Sequence, residues 1–598
     1  MSQQPPDDRK PDDKLRALRA VLEQGGLDGF ILPRGDEHLG EYVAARSERL
    51  AWLTGFTGSA GMAIVLQDEA AVFSDGRYVL QLATQTDPAS WSRQHSVETP
   101  PEEWLGSRFS ERPGVIGYDP WLMSQDQLAR FARLGITLLP LSSNPVDAVW
   151  RDQPPAPLEP ARPHAIEYAG RSSANKRRDI AAILRGRDEN GVILTDPASI
   201  AWLLNLRGDD VPFTPLALGF ALLRDDESVT LFMDPLKIGH ETRQWLGNNV
   251  QIEPPDTLVP ALSELSGLSI RLDPGGSAVW FAQQLAEAGA TISAAPDPCL
   301  LPKARKNAVE RQGARSAHHR DGLALCRFLH WLDSHGVGSR ESEAVVRLDG
   351  FRAASPLYRG ESFPAISGSG PNGAIIHYRV TPETDRVLTA DEIYLIDSGG
   401  QYLDGTTDVT RTVWTGPGQP TAAMRDHFTR VLRGHIAIAA LRFPAGTTGQ
   451  RLDTLARAPL WQVGLDYDHG TGHGIGSYLS VHEGSCSIHP RALPVAIEPG
   501  MILSDEPGYY RTGAYGIRLE NLLLAHETSI PDSVRPFLAF ETLTLAPFDR
   551  RLIEPGMLEG PERQWLDAYH ARVLAELSPD LDNEAARWLA DACAPIDR

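Results

Sequence analysis

The sequence has 598 residues, enough for several domains, since one domain commonly takes about 100 to 200 residues. Hydrophobic residues make up 42% and charged residues 23%, which is typical of an ordinary soluble globular protein. The net charge of −21 disfavours nucleic acids and anionic membranes as partners. No run of about 18 apolar residues predicts a membrane span, and the N-terminus lacks the apolar core of a secretion signal. A cytoplasmic location is therefore expected.

The first half of the chain suggests a duplicated α/β domain. Residues 11–25 are predicted to form an amphipathic helix. Further on, a segment around Trp52 leads to a glycine, two apolar runs separated by an acidic turn, and an aspartate. The same order follows Trp202, about 150 residues later, which is a domain length rather than the period of a short repeat. Since proline-rich stretches punctuate the chain near both ends of the second copy, tandem domains are expected at 1–160 and 161–305.

The rest of the chain is expected to hold a catalytic domain at 306–545 and a helical extension at 546–598. A long helical pattern opens the catalytic domain, and the extension carries a helix with one apolar face. That face comprises Trp565, Leu566, Tyr569, Val573 and Leu577. Two interpretations stay open: the helix docks on its own domain, or it contacts another subunit.

Histidines and carboxylates recur where apolar runs end or beside glycine in the catalytic domain. The candidates are His377, Asp397, Asp408, His473, His482, Glu506 and Glu520. Two aspartates on one face with no lysine beside them resist burial unless a cation lies between them. Four carboxylates and one imidazole favour manganese, magnesium or cobalt, and their charge suits two divalent ions with a shared hydroxide nucleophile. Hydrolysis is the predicted reaction.

Each candidate also has a simpler explanation when it is taken alone. A single aspartate can be a solvated turn residue, a single histidine can be a packed one, and Glu520 can be the ion-pair partner of Arg518. The hairpin geometry also stays open. A two-residue turn at Asp404-Gly405 would pair Asp408 with Gln401, so a bulge or a wider loop would be needed to bring Asp397 close.

These motifs, in this order, resemble those of three-domain aminopeptidases P, which belong to the pita-bread group of metallopeptidases. The resemblance extends to residues 55–61 and 74–78 in the first domain and 201–208 in the second. It implies an α/β and α+β multidomain fold. Two tandem creatinase-N-like α/β domains would precede a pita-bread catalytic domain with a short C-terminal helical extension.

The resemblance also implies roles for single residues. A dinuclear centre, usually of manganese (Mn²⁺), would be held by Asp397, Asp408, His473, Glu506 and Glu520, with Asp408 and Glu520 bridging. His377 and His482 would act on the substrate and the tetrahedral intermediate, and Glu506 would shuttle a proton. The wider set assigned to substrate binding and its surroundings is Arg77, His377, His469, His473, His482, Tyr510 and Arg518.

The implied activity is release of the N-terminal residue from peptides with proline in the second position, Xaa-Pro-Yaa. Prolidase, which is restricted to Xaa-Pro dipeptides, is the alternative, but the extra α/β domain argues against it. Creatinase-like chemistry needs no metals, and inactive peptide-binding relatives typically lose ligands, so the complete ligand set weighs against both. A homodimer through the third domain is also implied.

Overall fold

The computed structural model describes residues 7, 9–111 and 113–596. Residues 1–6 and 8, which belong to the N-terminus expected to lack a secretion signal, and residues 597–598 of the expected extension lie outside the described residues. The chain divides into two compact units, Met1–Ile166 with Arg171–Leu300 and Glu167–Gly170 with Leu301–Arg598. The four-domain boundaries stay predictions. In the described part of the chain, no helix is long and apolar enough to cross a membrane.

The first half of the first unit is a six-stranded sheet with helices. The strand order is β4-β3-β2-β1-β5-β6, with the elements α1 (Pro11–Gln24), β1 (Gly29–Pro33), α2 (Arg49–Thr54), β2 (Met62–Leu66), β3 (Ala70–Ser74), α3 (Val79–Gln85), β4 (Ser92–His95), α4 (Pro101–Arg108), β5 (Val115–Tyr118), α5 (Gln125–Phe131), β6 (Thr137–Pro140) and α6 (Pro145–Val149). The predicted amphipathic helix is α1, which buries Leu15, Leu18 and Leu22.

A second six-stranded sheet follows, with the order β12-β11-β10-β8-β13-β14. Its segment comprises β7 (Arg162–Pro163), α7 (Ile166–Ala169), α8 (Ser173–Arg185), β8 (Gly191–Leu194), α9 (Pro197–Leu204), β9 (Leu206–Arg207), β10 (Phe220–Arg224), β11 (Val229–Phe232), α10 (His240–Leu246), β12 (Val250–Glu253), α11 (Leu258–Ser263), β13 (Ser269–Leu272), α12 (Val279–Ala288) and β14 (Thr291–Ala294). The central strand β8 is antiparallel to β10 and parallel to β13, just as β1 is antiparallel to β2 and parallel to β5. The predicted duplication of one α/β domain is confirmed.

The second unit is built from long helices and several short sheets. Its elements are α13 (Leu300–Ala304), α14 (Ala308–His335), α15 (Glu341–Arg352), β15 (Tyr358–Glu361), β16 (Ile366–Ser369), β17 (Glu392–Ser398), β18 (Gly400–Tyr402), β19 (Gly405–Thr406), β20 (Val409–Thr415), α16 (Ala422–Ala439), β21 (Arg442–Pro444), α17 (Gly449–Trp461), β22 (Gly472–Gly474), β23 (Glu483–Ile488), β24 (Ile502–Asp505), β25 (Gly508–Arg511), β26 (Tyr515–Arg518), β27 (Asn521–Thr528), β28 (Phe537–Thr542), α18 (Gly560–Leu577) and α19 (Asn583–Ala592). The strands that matter most for the site form two sheets, β16-β17-β20 and β21-β28-β27-β24-β22-β23.

The apolar face of α18 is covered within the chain. Leu566 and Val573 are fully buried, and they share one core with Phe428 and Leu432 of α16. Because this burial removes apolar surface from water, it stabilises the docked helix. Of the two interpretations left open by the sequence, docking on its own unit is the one observed.

Candidate metal centre

The first two candidate ligands lie on a hairpin whose register differs from the predicted one. β17 pairs with β20 so that Asp397 faces Thr410, and β18 pairs with β19 so that Tyr402 faces Gly405. The turn is therefore Leu403-Asp404, one residue earlier than predicted. Both ladders share one register, which places Asp408 diagonally across from Asp397 on the same face. The predicted turn was wrong, and no bulge is needed to bring the aspartates together.

The hairpin is interrupted at Gly399, between β17 and β18. A Cβ atom there would lie 2.0 Å from the Thr407 carbonyl oxygen and 2.1 Å from Ser362 Oγ. Only glycine allows this close approach. The Gly399 carbonyl accepts a hydrogen bond from the Ser362 backbone N–H (3.1 Å). Before Gly399 the chain pairs with β20, and after it with β19, without a shift in the pairing register.

The remaining three candidate ligands come from the neighbouring sheet. His473 lies on β22, Glu506 directly follows β24, and Glu520 directly precedes β27. A Cβ atom at Gly472 would lie 1.9 Å from the Ser504 carbonyl oxygen, so glycine is needed for β22 and β24 to approach. The His473 backbone N–H then donates to Ser504 Oγ at 2.9 Å. The glycines beside His473 therefore serve to place it against the strand that leads to Glu506.

The side chains converge on one place. Ligand atoms of Asp408, His473 and Glu520 all lie within 4.8 Å of one another. His473 Nε2 lies 3.4 Å from Glu506 Oε1 and 3.6 Å from Asp408 Oδ2. Asp397 is electrostatically coupled to the same group, because its charge raises the pKa of Asp408, Glu506 and Glu520.

The cluster carries more negative charge than its surroundings neutralise. Burial, and next the charge of Glu520, raise the pKa of Asp408 well above its ordinary value. Burial and then Glu506 do the same to the pKa of Glu520. The pKa of Glu506 is raised to about 7, chiefly by burial and against the opposing charge of Arg518. Such mutual repulsion is relieved when a cation binds between carboxylates.

Two carboxylate oxygens of the candidate ligands have no hydrogen-bond partner among the described residues. Asp397 Oδ1 and Glu520 Oε1 are both buried and, among the described residues, accept no hydrogen bond. Leaving a buried charged acceptor unsatisfied is costly. Orphaned oxygens on two members of an acidic cluster, with an imidazole beside them, fit the donor set of hard divalent cations.

Arg518 is the cation of the cluster, and it pairs with Asp397 rather than with Glu520. Arg518 Nη2 donates to Asp397 Oδ2 at 2.6 Å. Its Nε donates to Thr410 Oγ1 at 3.2 Å, and Thr410 in turn donates to Glu520 Oε2 at 2.8 Å. The alternative of an Arg518–Glu520 ion pair is therefore wrong. The aspartates thus have an arginine beside them, but one guanidinium does not balance four carboxylates.

A chain of hydrogen bonds leads from Arg518 to His469. Arg518 Nη1 donates to the Tyr510 hydroxyl at 2.6 Å, and that hydroxyl lies 2.9 Å from His469 Nε2. His469 Nδ1 lies 2.7 Å from the Gly470 carbonyl oxygen. Because a carbonyl can only accept, the proton is on Nδ1 and Tyr510 donates to Nε2. Burial raises the pKa of Tyr510 to about 12, which keeps it a donor.

Of the two predicted substrate histidines, His482 lies against a candidate ligand, and His377 follows a residue that contacts Arg518. The rings of His482 and His473 are 4.2 Å apart and nearly perpendicular. His377 follows Ile376, whose carbonyl oxygen accepts from Arg518 Nη1 at 3.3 Å. Both of these histidines are half-buried. Arg77 belongs to the first unit, where it forms an ion pair with Asp75 at 2.7 Å.

Two residues that the sequence reasoning did not single out contact this cluster. Thr410 bonds the carboxylate of Glu520, and Arg411 Nη1 donates to the Glu520 carbonyl oxygen at 2.6 Å. The alternation of side chains along β20 puts Thr410 on the same face as Asp408. That periodicity was visible in the sequence and could have identified Thr410; no comparable pattern marked Arg411.

Four family models match the chain in sequence order. Two describe a creatinase/prolidase N-terminal domain, at residues 14–148 and 152–310. Metallopeptidase family M24 matches residues 312–527, and the C-terminal region of peptidase M24 matches residues 536–596.

Known relatives match over almost the full chain. Aminopeptidase P1 of Lotus japonicus is 37% identical, covering 97% of this chain and 99% of its own. A probable Xaa-Pro aminopeptidase P of Laccaria bicolor is 38% identical, with 98% and 93% covered. The chain belongs to the aminopeptidase P family of M24 metallopeptidases. The resemblance inferred from the motifs is thereby confirmed.

A solved structure agrees with the fold. The X-prolyl aminopeptidase of Caenorhabditis elegans, described as a cytosolic enzyme with a di-nuclear active site, superimposes with a TM-score of 0.93. It is 33% identical, and the match covers 98% of this chain and 100% of that one. The expected architecture, creatinase-like domains followed by a metallopeptidase domain, is confirmed.

Proposed function

We propose that this chain is a metal-dependent aminopeptidase that releases the N-terminal residue from peptides with proline in the second position. The observation that carries the proposal is the buried cluster of acidic side chains around His473, in a chain whose full-length relatives are named as Xaa-Pro aminopeptidases. Prolidase is disfavoured because the named relatives that span the whole chain are aminopeptidases P.

The metal centre is proposed to hold two divalent ions, with manganese as the preferred metal. Its ligands would be Asp397, Asp408, His473, Glu506 and Glu520. The orphaned oxygens of Asp397 and Glu520 support this assignment, and so does the oxygen-rich donor set. The C. elegans relative is described as having a di-nuclear active site. When bound, two such ions supply a hydroxide nucleophile near neutral pH and polarise the scissile carbonyl.

The protein's own groups would bind the peptide and move protons. His377 and His482 are proposed to donate hydrogen bonds to the peptide and to the oxyanion that develops during attack. Glu506, at the edge of the cluster beside His473, would take a proton from the attacking water and deliver it to the prolyl nitrogen. Arg518 would hold Asp397 in place through its 2.6 Å hydrogen bond.

His469 and Tyr510 are proposed to orient Arg518 through the hydrogen bond that the Tyr510 hydroxyl accepts from it. Their hydrogen-bond chain ends on the Gly470 carbonyl, which requires the His469 proton to be on Nδ1 and the Tyr510 hydroxyl to donate to Nε2.

Arg77 is proposed as a substrate contact because of the family resemblance alone. We further propose a cytosolic homodimer; the C. elegans relative is described as cytosolic, and light scattering of the purified protein would test the dimer.

The test compares two substrates. Chelator-treated protein is assayed on an Xaa-Pro-Yaa tripeptide and on the matching Xaa-Pro dipeptide, with and without added Mn²⁺. Manganese-dependent release of the first residue from the tripeptide is expected. Cleavage of the dipeptide alone would replace the proposal by prolidase, and cleavage of neither would favour an inactive peptide-binding relative.

A further inference from the structure

A buried guanidinium, that of Arg411, contacts the backbone of a candidate ligand and has no carboxylate partner among the described residues. Arg411 is 1% exposed. A guanidinium has five N–H donors, and those of Arg411 are all used. Their acceptors are the carbonyl oxygens of Thr410, Glu520, Ala546 and Pro547, Asn521 Oδ1 and the Tyr569 hydroxyl. Arg411 is therefore a junction of backbone segments rather than half of an ion pair.

On one side, Arg411 holds the main chain of Glu520. Arg411 Nη1 donates to the Glu520 carbonyl oxygen at 2.6 Å and to the Thr410 carbonyl oxygen at 2.9 Å. The Glu520 backbone N–H donates to the same Thr410 carbonyl at 3.2 Å, while Thr410 Oγ1 donates to the Glu520 carboxylate. The main chain and the side chain of Glu520 are thus both fixed through the segment Thr410-Arg411.

On the other side, Arg411 reaches the C-terminal extension. Arg411 Nη2 donates to the Ala546 carbonyl oxygen at 2.8 Å and to the Tyr569 hydroxyl on α18 at 3.1 Å. The Tyr569 hydroxyl itself lies 2.8 Å from the Ala546 carbonyl oxygen, to which it donates. The Tyr569 ring is stacked on Trp565, with ring centroids 5.3 Å apart. The extension therefore supplies a rigid anchor for the guanidinium.

Arginine suits this junction for a physical reason. Its planar fork presents several donors in fixed directions, which a flexible lysine ammonium cannot reproduce. In a buried, low-dielectric setting such hydrogen bonds are strong, and losing one leaves an unsatisfied carbonyl. A small displacement of Arg411 would therefore be passed on to the backbone of Glu520.

We infer that Arg411 and Tyr569 are positioning residues for the metal centre, and that the C-terminal extension sets metal affinity by fixing Glu520 through them. The inference rests on the proposed metal-dependent function. Groups that hold a metal ligand without touching the metal typically change metal affinity by about 10- to 100-fold when altered.

The test measures the binding of Mn²⁺ alone to chelator-treated protein, by competition with a chelating indicator. Arg411→Lys is expected to weaken binding by about 10-fold or more, and Tyr569→Phe, which loses one hydroxyl, by about 3- to 10-fold. The matched control is Tyr394→Phe. Tyr394 is also buried, and its hydroxyl bonds Ser367 Oγ at 2.7 Å rather than Arg411. Its affinity should stay within about 2-fold of the unaltered chain.

A second readout separates positioning from general stability. The visible absorption of the cobalt-loaded protein reports ligand geometry, so Tyr569→Phe should change the band shape and Tyr394→Phe should not. Equal Mn²⁺ affinities in the two tyrosine variants would overturn the inference, and Tyr569→Phe alone decides it if Arg411→Lys does not fold. If the unaltered chain binds no Mn²⁺, the proposed function itself fails.

Discussion

Replacing Lys306 by methionine is expected to destabilise the second unit strongly. Lys306 pairs with Glu483, the residue directly after His482. The two charged side chains are 1% and 3% exposed. Removing the lysine therefore leaves a carboxylate in a dry environment without its cation. Breaking a buried pair in this way costs about 3–5 kcal/mol.

The preceding residue offers a matched control. Arg305 also forms an ion pair, with Glu498 at 2.6 Å, but these side chains are 43% and 34% exposed. Because water screens such a pair, Arg305→Met should cost no more than about 1 kcal/mol. The two variants change adjacent residues and remove one cation each, so the difference in stability isolates burial.

Urea unfolding followed by tryptophan fluorescence measures the effect. Since the chain forms two compact units, two transitions are expected, and Lys306→Met should shift only the one that belongs to the second unit. The double variant Lys306→Met/Glu483→Leu should recover most of the lost stability, because apolar replacements of buried pairs are nearly neutral. Similar midpoints for Lys306→Met and Arg305→Met would refute the reasoning.

Three further changes test other parts of the account. Asp408→Asn removes a proposed metal ligand and should reduce bound manganese, measured by elemental analysis after desalting, whereas Asp404→Asn in the turn of the same hairpin should not. Tyr510→Phe removes the hydroxyl that accepts from Arg518; kcat should fall by about 10-fold with metal content retained, and loss of the metal instead would contradict this role. Burial lowers the pKa of His570 from 6.5 to about 3. Its neutral form is therefore favoured by folding, and the stability it contributes is present above pH 6.5 and lost as the pH falls. His570→Gln should reduce the loss of stability between pH 7 and pH 5 by about 2 kcal/mol in urea unfolding; an unchanged pH dependence would show that His570 does not titrate in this way.

The duplicated α/β architecture was predictable because the same order of local sequence features occurs twice. The recurrence of one pattern around Trp52 and Trp202 depends on apolar runs and turns, which short segments determine. The helix face around Leu566 was equally clear from its 3.6-residue period. Which surface that face would cover was not predictable, because docking depends on residues such as Phe428 that are distant in sequence.

The hairpin turn shows where local signals mislead. Asp404-Gly405 is a strong two-residue turn signal, yet the turn is at Leu403-Asp404. Tertiary contacts decide the register: Gly405 lies against α14, where an added Cβ atom would be 3.1 Å from that of Ala317. The sequence identified the candidate ligands, but only the pairing register of β17 with β20 explains why Asp408 lies near Asp397.

The partners of the arginines were not predictable either. Strand alternation puts Arg518 and Glu520 on one face, which suggested an ion pair between them. Arg518 instead donates to Asp397 on another strand. Arg411 contacts segments more than a hundred residues further on, such as Ala546. A sequence contains no local mark of such long-range hydrogen bonds.

The most direct test of the central claim is a manganese titration of catalysis. Chelator-treated protein receives increasing Mn²⁺ while release of the first residue is followed on a tripeptide with proline in the second position and on one with alanine there. Activity on the proline peptide should rise with added metal and reach its plateau at two ions per chain, with little activity on the alanine peptide. Full activity without metal, or equal cleavage of both peptides, would contradict the proposal of a dinuclear, proline-specific aminopeptidase.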